Sequence, residues 1–289
     1  MLETGNKQRY MKYVSCYIDE TFDINNCISY ILSIQCSLDG FSFTVFDTTV
    51  SKFIVFYTFE FNAVTPFMLK NEIDGIVASE PLLQSAYKQV KIAYNTPKVT
   101  LVPGSLIPSD QYSSTYGFTF ETKREETIVA NSFGNGYTLL FAMPKIIKKQ
   151  FEYLYPGSIF FSLLQPLAAY TQGHSGLHPY LLVSKQNHSL QIVAAKGHNI
   201  IFINSFFVKD ETDCLFYTLN TAKSLNLDLK SEVVLFGKID AKSELVSMLM
   251  LYFEKVSYAH YGNNYTVSYT FLAEQASTQL PLLELALCE

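Results

Sequence analysis

The order of predicted elements occurs twice along the chain, and this constrains the fold more than any single motif. Three short strands rich in aromatic and β-branched residues, over 31–36, 41–46 and 53–59, precede a helical stretch over 65–94, broken near Pro81, and a buried strand at 99–102. Three more strands, over 180–183, 190–194 and 200–204, precede a helix over 210–229 and a strand at 233–236. Asp210 caps that helix, and Leu215, Leu219, Ala222 and Leu225 share one face of it. A three-strand meander reaches a parallel neighbour only through a crossover, which the helix supplies. The turn chemistry corresponds too, with Val99-Thr-Leu-Val-Pro-Gly104 answering Val233-Val-Leu-Phe-Gly237. The expected class is α/β, with two similar tandem domains over 1–168 and 169–289, each a mixed five-stranded sheet flanked by helices.

The intervening segment has its own pattern. Strands at 127–130 and 137–142 flank Gly134-Asn135-Gly136, a hairpin turn. Pro144 then starts a helix with Ile147, Phe151 and Leu154 on one face, Gly157 ends it, and a strand follows at 159–164. The domain boundary falls in the glycine- and proline-rich stretch at 166–176. A helix over 242–254, a last strand over 267–272 and an apolar tail complete the second domain. The opening segment to about residue 26 is expected either to pair with one of the sheets or to exchange between chains.

Lys and Arg total 21 against 26 Asp and Glu, a net charge of −5, and the basic residues form no stripe. Nucleic acid and anionic membrane are therefore poor partners for this surface. Hydrophobic residues make up 48% and charged residues 16%, so the chain is globular with little polar cover, and some apolar surface is expected to meet a protein partner or a second copy. Residues 153–184 lack charge, but six prolines and glycines interrupt them too often for a membrane span. The first ten residues lead into no apolar core, so no signal peptide is expected. Cys16, Cys27, Cys36, Cys214 and Cys288 form no CxxC and no secreted framework, which fits idle thiols in a reducing cytoplasm.

A duplicated meander, helix and strand resembles the actin-like ATPase superfamily, whose members clasp a nucleotide between two ribonuclease-H-like domains. The run from Tyr137 to Phe160 is similar to the strand–helix–strand that closes the first domain in pilus-assembly and secretion members. Asn204-Ser205-Phe206, Asp213 to Tyr217 and Leu235-Phe-Gly237 resemble a bacterial family of unknown function assigned that fold. The resemblance implies an acid ending the first strand of each half to hold magnesium, with adjacent glycines for the phosphates. Gln35 and Ser37 stand in those places in the first half, with Asp39 nearby in the turn, and Ser184 and Gln186 in the second, around Lys185. Of the paired glycines of the adenosine turn only Gly237 remains, followed by Lys238. The expectation is a degenerate, non-catalytic scaffold with no metal. A switch that keeps ATP or another nucleotide with those eight residues, hydrolysing little or none of it, is the alternative.

Other motifs are weaker. Gly173-His174-Ser175-Gly176-Leu177 departs from a nucleophile elbow at its fifth position and reads as a glycine-rich hinge with no helix. His174 and His178 have ligand-like spacing only on a helix, and read as loop histidines. Gly134-x-Gly136 lacks the third glycine of a dinucleotide loop, and no phosphate-loop G-x-x-x-x-G-K-[ST] occurs. Lys145, Lys148 and Lys149 read as a solvated helix face. Tyr112, Tyr116, Tyr258 and Tyr261 stand as surface tyrosines able to anchor an interface.

Overall fold

The computed structural model describes residues 13–104, 107–133, 136–186, 188–228, 230–237, 239–261, 265–271 and 279–288. In chain order the first part runs β1 (Ser15–Ile18), a 3-10 turn (Ile24–Ser29), β2 (Tyr30–Ser37), β3 (Gly40–Asp47), β4 (Lys52–Glu60), α1 (Pro66–Ser79) and β5 (Gln89–Tyr94). Then come β6 (Val99–Pro103), α2 (Tyr112–Gly117), β7 (Glu126–Phe133), β8 (Tyr137–Pro144), α3 (Lys145–Leu154), β9 (Ile159–Ser162) and α4 (Leu164–His174). The rest is β10 (Tyr180–Gln186), β11 (Ser189–Lys196), β12 (Asn199–Phe207), α5 (Glu211–Ser224), β13 (Glu232–Gly237), α6 (Glu244–Tyr252), β14 (Lys255–Tyr258), β15 (Thr266–Val267) and α7 (Leu280–Leu287).

Five strands of the first sheet, β4-β3-β2-β5-β9, repeat in order and direction as β12-β11-β10-β13-β14 in the second. In each set the first three strands pair antiparallel and the last two join in parallel, with α1 and α5 as the crossovers. The second sheet has five strands, but its fifth is β14 and not the stretch expected at 267–272. The first has seven, because β1 and β15 both lie along the outer side of β4, one against its later part and one against its start. Their junction is held by Asp19, whose carboxylate takes the Lys52 ammonium at 2.8 Å and the hydroxyls of Thr21 and Ser268.

Four expectations are corrected. The strand parallel to β2 is β5, inside the stretch read as helix; Val90, Ile92 and Tyr94 alternate with Lys91, whose buried ammonium donates to the carbonyls of Ala286 and Cys288 at the end of α7. Residues 99–103 instead form β6 in a separate three-stranded sheet, β6-β8-β7. The hinge at 166–176 is largely α4: Pro166 falls in the first turn, where no amide donor is needed, and Leu164, Leu167, Ala168 and Thr171 are buried. The last strand and apolar tail leave the second sheet, since β15 pairs with β4 and α7 packs against β2, β3 and β5.

The expected cap at Asp210 is present, and the structure adds one at Ser243. Asp210 accepts from Asp213 N–H to start α5, and Ser243 does the same for Val246 N–H in α6. The expected hairpin is β7–β8, but Gly134 and Asn135 of its turn lie outside the described residues, as do Leu229 and Leu272. Tyr116 is no surface anchor. It is fully buried, and its hydroxyl donates to Lys98 O at 3.2 Å.

Candidate functional site

The ends of β2 and β10 turn into β3 and β11 at equivalent places in the two sheets, and these hairpins confront each other. Strand register decides what faces the gap. Gln35 and Ser37 share one face of β2, Gln35 stands opposite Ser42 on β3, and Ser42 opposite Thr58 on β4. This polar stripe continues to Asp39 and Glu60 and, with Gln186, Gly237 and Gln279, lines a cavity of about 200 Å3. Ser184 and Gln186 share one face of β10, and Gln191 on β11 is the register partner of Ser184.

Two amide pairs span the sheets. Gln35 Nε2 donates to Gln186 Oε1 at 3.0 Å, and Gln191 Nε2 donates to Asn95 Oδ1, just past β5, at 3.2 Å. Gln191 Nε2 also reaches Ser189 Oγ at 2.6 Å. Ser37 Oγ donates to Asp39 Oδ1, so the turn is tied internally. Gln35 Oε1, Ser184 Oγ and Gln191 Oε1 are buried without a partner among the described residues. They leave polar capacity inside the closed gap that a trapped water would satisfy.

Of the eight candidate residues, the structure brings Gln35, Ser37, Asp39, Gln186 and Gly237 together around the cavity. Ser184 is wholly buried on the same face, one alternation below Gln186. Lys185 goes the other way. Its neighbours by alternation, Leu181 and Val183, belong to the second core cluster with Cys214, and burial raises the Cys214 thiol while the Lys185 charge partly opposes that rise. Lys238 lies outside the described residues. Gly237 has a backbone reason to be glycine: its φ is +87°, and a Cβ there would lie 2.2 Å from the carbonyl oxygen of Lys185. Ser42, Thr58, Glu60, Asn95, Gln191 and Gln279 escaped the sequence reading. Ser42 was recoverable, because a hairpin at Asp39–Gly40 fixes its register with Gln35, whereas Thr58 follows from the next turn, whose register shifts at Val45 and Phe46; Gln279 and the Gln191–Asn95 contact depend on long-range packing.

A magnesium nucleotide is poorly served by this donor set. The positions for the metal acids hold an amide and a buried hydroxyl, neither of which supplies the carboxylate that magnesium takes there. Among the described residues no group of three or more metal-ligating side chains gathers anywhere. Ser175 is no better placed for nucleophilic chemistry. It is 1% exposed, donates to Gln172 O at 3.2 Å and accepts the His198 N–H at 3.0 Å. The ring nitrogens of His174 and His198 meet the carbonyls of Tyr170 and Gln172. Lys148 pairs with Glu152 and lies over the Phe160 ring, and Lys145 donates to Arg124 O, as a surface face requires.

A family model described as a protein of unknown function, DUF3822, matches residues 19–256. The chain belongs to that family. A Bacteroides thetaiotaomicron protein described as having an actin-like ATPase fold and unknown function superposes with a TM-score of 0.82 at 20% identity, over 93% of this chain and 99% of that one. A type IV pilus biogenesis complex, PilM–PilN, matches with a TM-score of 0.55 at 12% identity, over 89% of this chain and 96% of that one. These likenesses give this DUF3822 member the actin-like ATPase fold. A sequence comparison with curated proteins finds no match. Among the described residues no helix is long and apolar enough to cross a membrane.

Proposed function

We propose that this chain is a pseudo-ATPase, an actin-fold scaffold in the bacterial cytoplasm that acts by binding a protein partner or a second copy of itself and hydrolyses no ATP. The observation that carries the reading is the Gln35–Gln186 hydrogen bond, which joins the sheets at the place where the superfamily would cradle phosphate. The division used here gives 1–168 and 169–289 to successive lobes, with α7 reaching back to the first. β12 ends its sheet with Ile201 and Phe207 exposed, and Phe216 is exposed on the following helix, the kind of surface a protein partner covers.

Thermal-shift titration with magnesium ATP and GTP tests the reading. A nucleotide applied at a hundred times its Kd would stabilise the fold by about 2.7 kcal/mol, or about 5–11 °C in Tm for a chain of this size. The expected shift at millimolar nucleotide is zero. A saturable rise would replace the scaffold with a nucleotide-binding switch, and a solitary monomer in sedimentation with nothing captured from the native host would remove the scaffold.

A further inference from the structure

A second cavity, of about 310 Å3, opens at the far end of the second sheet from the cleft. β10 and β13 run parallel; their last residues, Gln186 and Gly237, reach the cleft, and their first, Tyr180 and Glu232, line this second space. α4 contributes Tyr170 and His174, and the segment after β14 contributes His260 and Tyr261. The Tyr170 and His174 rings stack at 4.0 Å and 26°, and His174 leans toward Tyr180 at 6.4 Å. The Tyr170 hydroxyl donates to His260 O at 2.9 Å, tying one wall to the other.

Glu232 is the carboxylate among the residues lining this space. Burial raises the Tyr170 and Tyr180 hydroxyls, hydrogen bonds with Tyr180 and His260 partly oppose the rise at Tyr170, and Glu232 adds to both. Behind Tyr170 a second carboxylate, Glu284, is pushed up by burial while Tyr265 donates to it at 2.9 Å. Glu232 is paired at 2.7 Å with Lys255, whose side chain is 64% exposed, so the pair is a weak surface contact.

We propose that this cavity binds a small organic cation of the alkylammonium or methylammonium class, seated against the tyrosine and histidine faces and neutralised by Glu232. Ring faces attract a soft, weakly hydrated cation and bury its methyl groups at the same time. A hard metal ion lacks donors here, because no metal-ligating group of three gathers among the described residues. Anionic ligands meet Glu232. Lys255 is then the resident competitor, an ammonium on a flexible stem that a better-fitting cation displaces at low cost.

The test uses the full chain titrated with tetramethylammonium chloride and choline chloride by calorimetry and tyrosine emission, against sodium chloride at equal ionic strength. The chain has 20 tyrosines and no tryptophan, so the emission reports on tyrosine alone. Saturable binding of the organic cations is expected, weakened at least tenfold in Glu232→Gln and tightened several-fold in Lys255→Ala. The opposite signs separate a ligand site from damage, since both substitutions break the same ion pair. No response beyond that of sodium chloride, or equal effects of the two variants, overturns the proposal.

Discussion

Removing the Gln35–Gln186 bridge from its two ends is predicted to have unequal consequences. The bond is neutral, 3.0 Å long and half-buried, so its net contribution is about 0.5–1.5 kcal/mol. The partners differ in what they leave behind. Gln35 Oε1 is already buried and unpaired among the described residues, so Gln35→Ala deletes an orphan along with the bond, and the loss is partly offset. Gln186→Ala leaves both polar ends of the Gln35 amide without the cross-sheet partner, and a buried unsatisfied group costs about 1–3 kcal/mol. Gln186→Ala should therefore destabilise by about 1–3 kcal/mol and Gln35→Ala by less than about 1 kcal/mol. In the double variant the loss should fall short of the sum by about 0.5–1.5 kcal/mol. Urea unfolding followed by circular dichroism measures all four species, with unchanged m-values as the check that the unfolded state is the same. Equal single losses together with additivity would refute the bridge as an energetic link between the sheets.

Gly237→Ala should be among the most damaging small substitutions, by more than about 3 kcal/mol, because positive φ and a backbone clash with Lys185 act together; a soluble yield and Tm equal to the parent's would contradict this. Asp19 gives a pH signature. Burial acts to raise its carboxyl, but Lys52, Ser268 and Thr21 outweigh that and hold it well below the usual carboxylate range. Its stabilisation is complete above the unfolded value of about 3.9 and drains away as pH falls toward the lower folded value. Asp19→Asn should cost about 2–3 kcal/mol at pH 7 and flatten the loss of Tm between about pH 5 and 2; parallel Tm profiles for the two proteins would exclude that role. Ser175→Ala should lower stability by about 1 kcal/mol through the lost His198 N–H contact. It should leave labelling by a broad serine-reactive probe unchanged, and labelling that disappears with it would restore a catalytic serine.

Repetition of order was legible because strand and helix periodicities survive in both halves. The correspondence between halves was misplaced by one strand for a physical reason. Lys91 sits inside a buried strand, where a charged residue ordinarily argues for a surface helix, and the α7 carbonyls that receive it come from the far end of the chain. α4 was hidden in the same way. Its proline and glycine read as breakers, yet Pro166 occupies a first-turn position and Gly173 the penultimate one, where both are tolerated. The amide pairs across the cleft were illegible, since neighbours 151 and 96 residues apart leave no periodic trace.

Those pairs give the scaffold reading its quantitative content. In a nucleotide-clasping relative the lobes are joined through a ligand, so closure follows ligand concentration. Here the joining groups belong to the chain, and an amide pair contributing about 1 kcal/mol multiplies a closed-to-open ratio about fivefold, two such pairs about thirtyfold. On the scaffold reading closure would need no small molecule, and a partner that recognises the closed shape would meet a competent surface. Substituting Gln186 and Gln191 together by alanine should weaken such a partner by up to that thirtyfold factor while leaving its contact residues intact, because apparent affinity scales with the competent fraction. Affinity unchanged in the double variant, measured with the same captured partner, would mean that the amide pairs do not control the surface the partner reads.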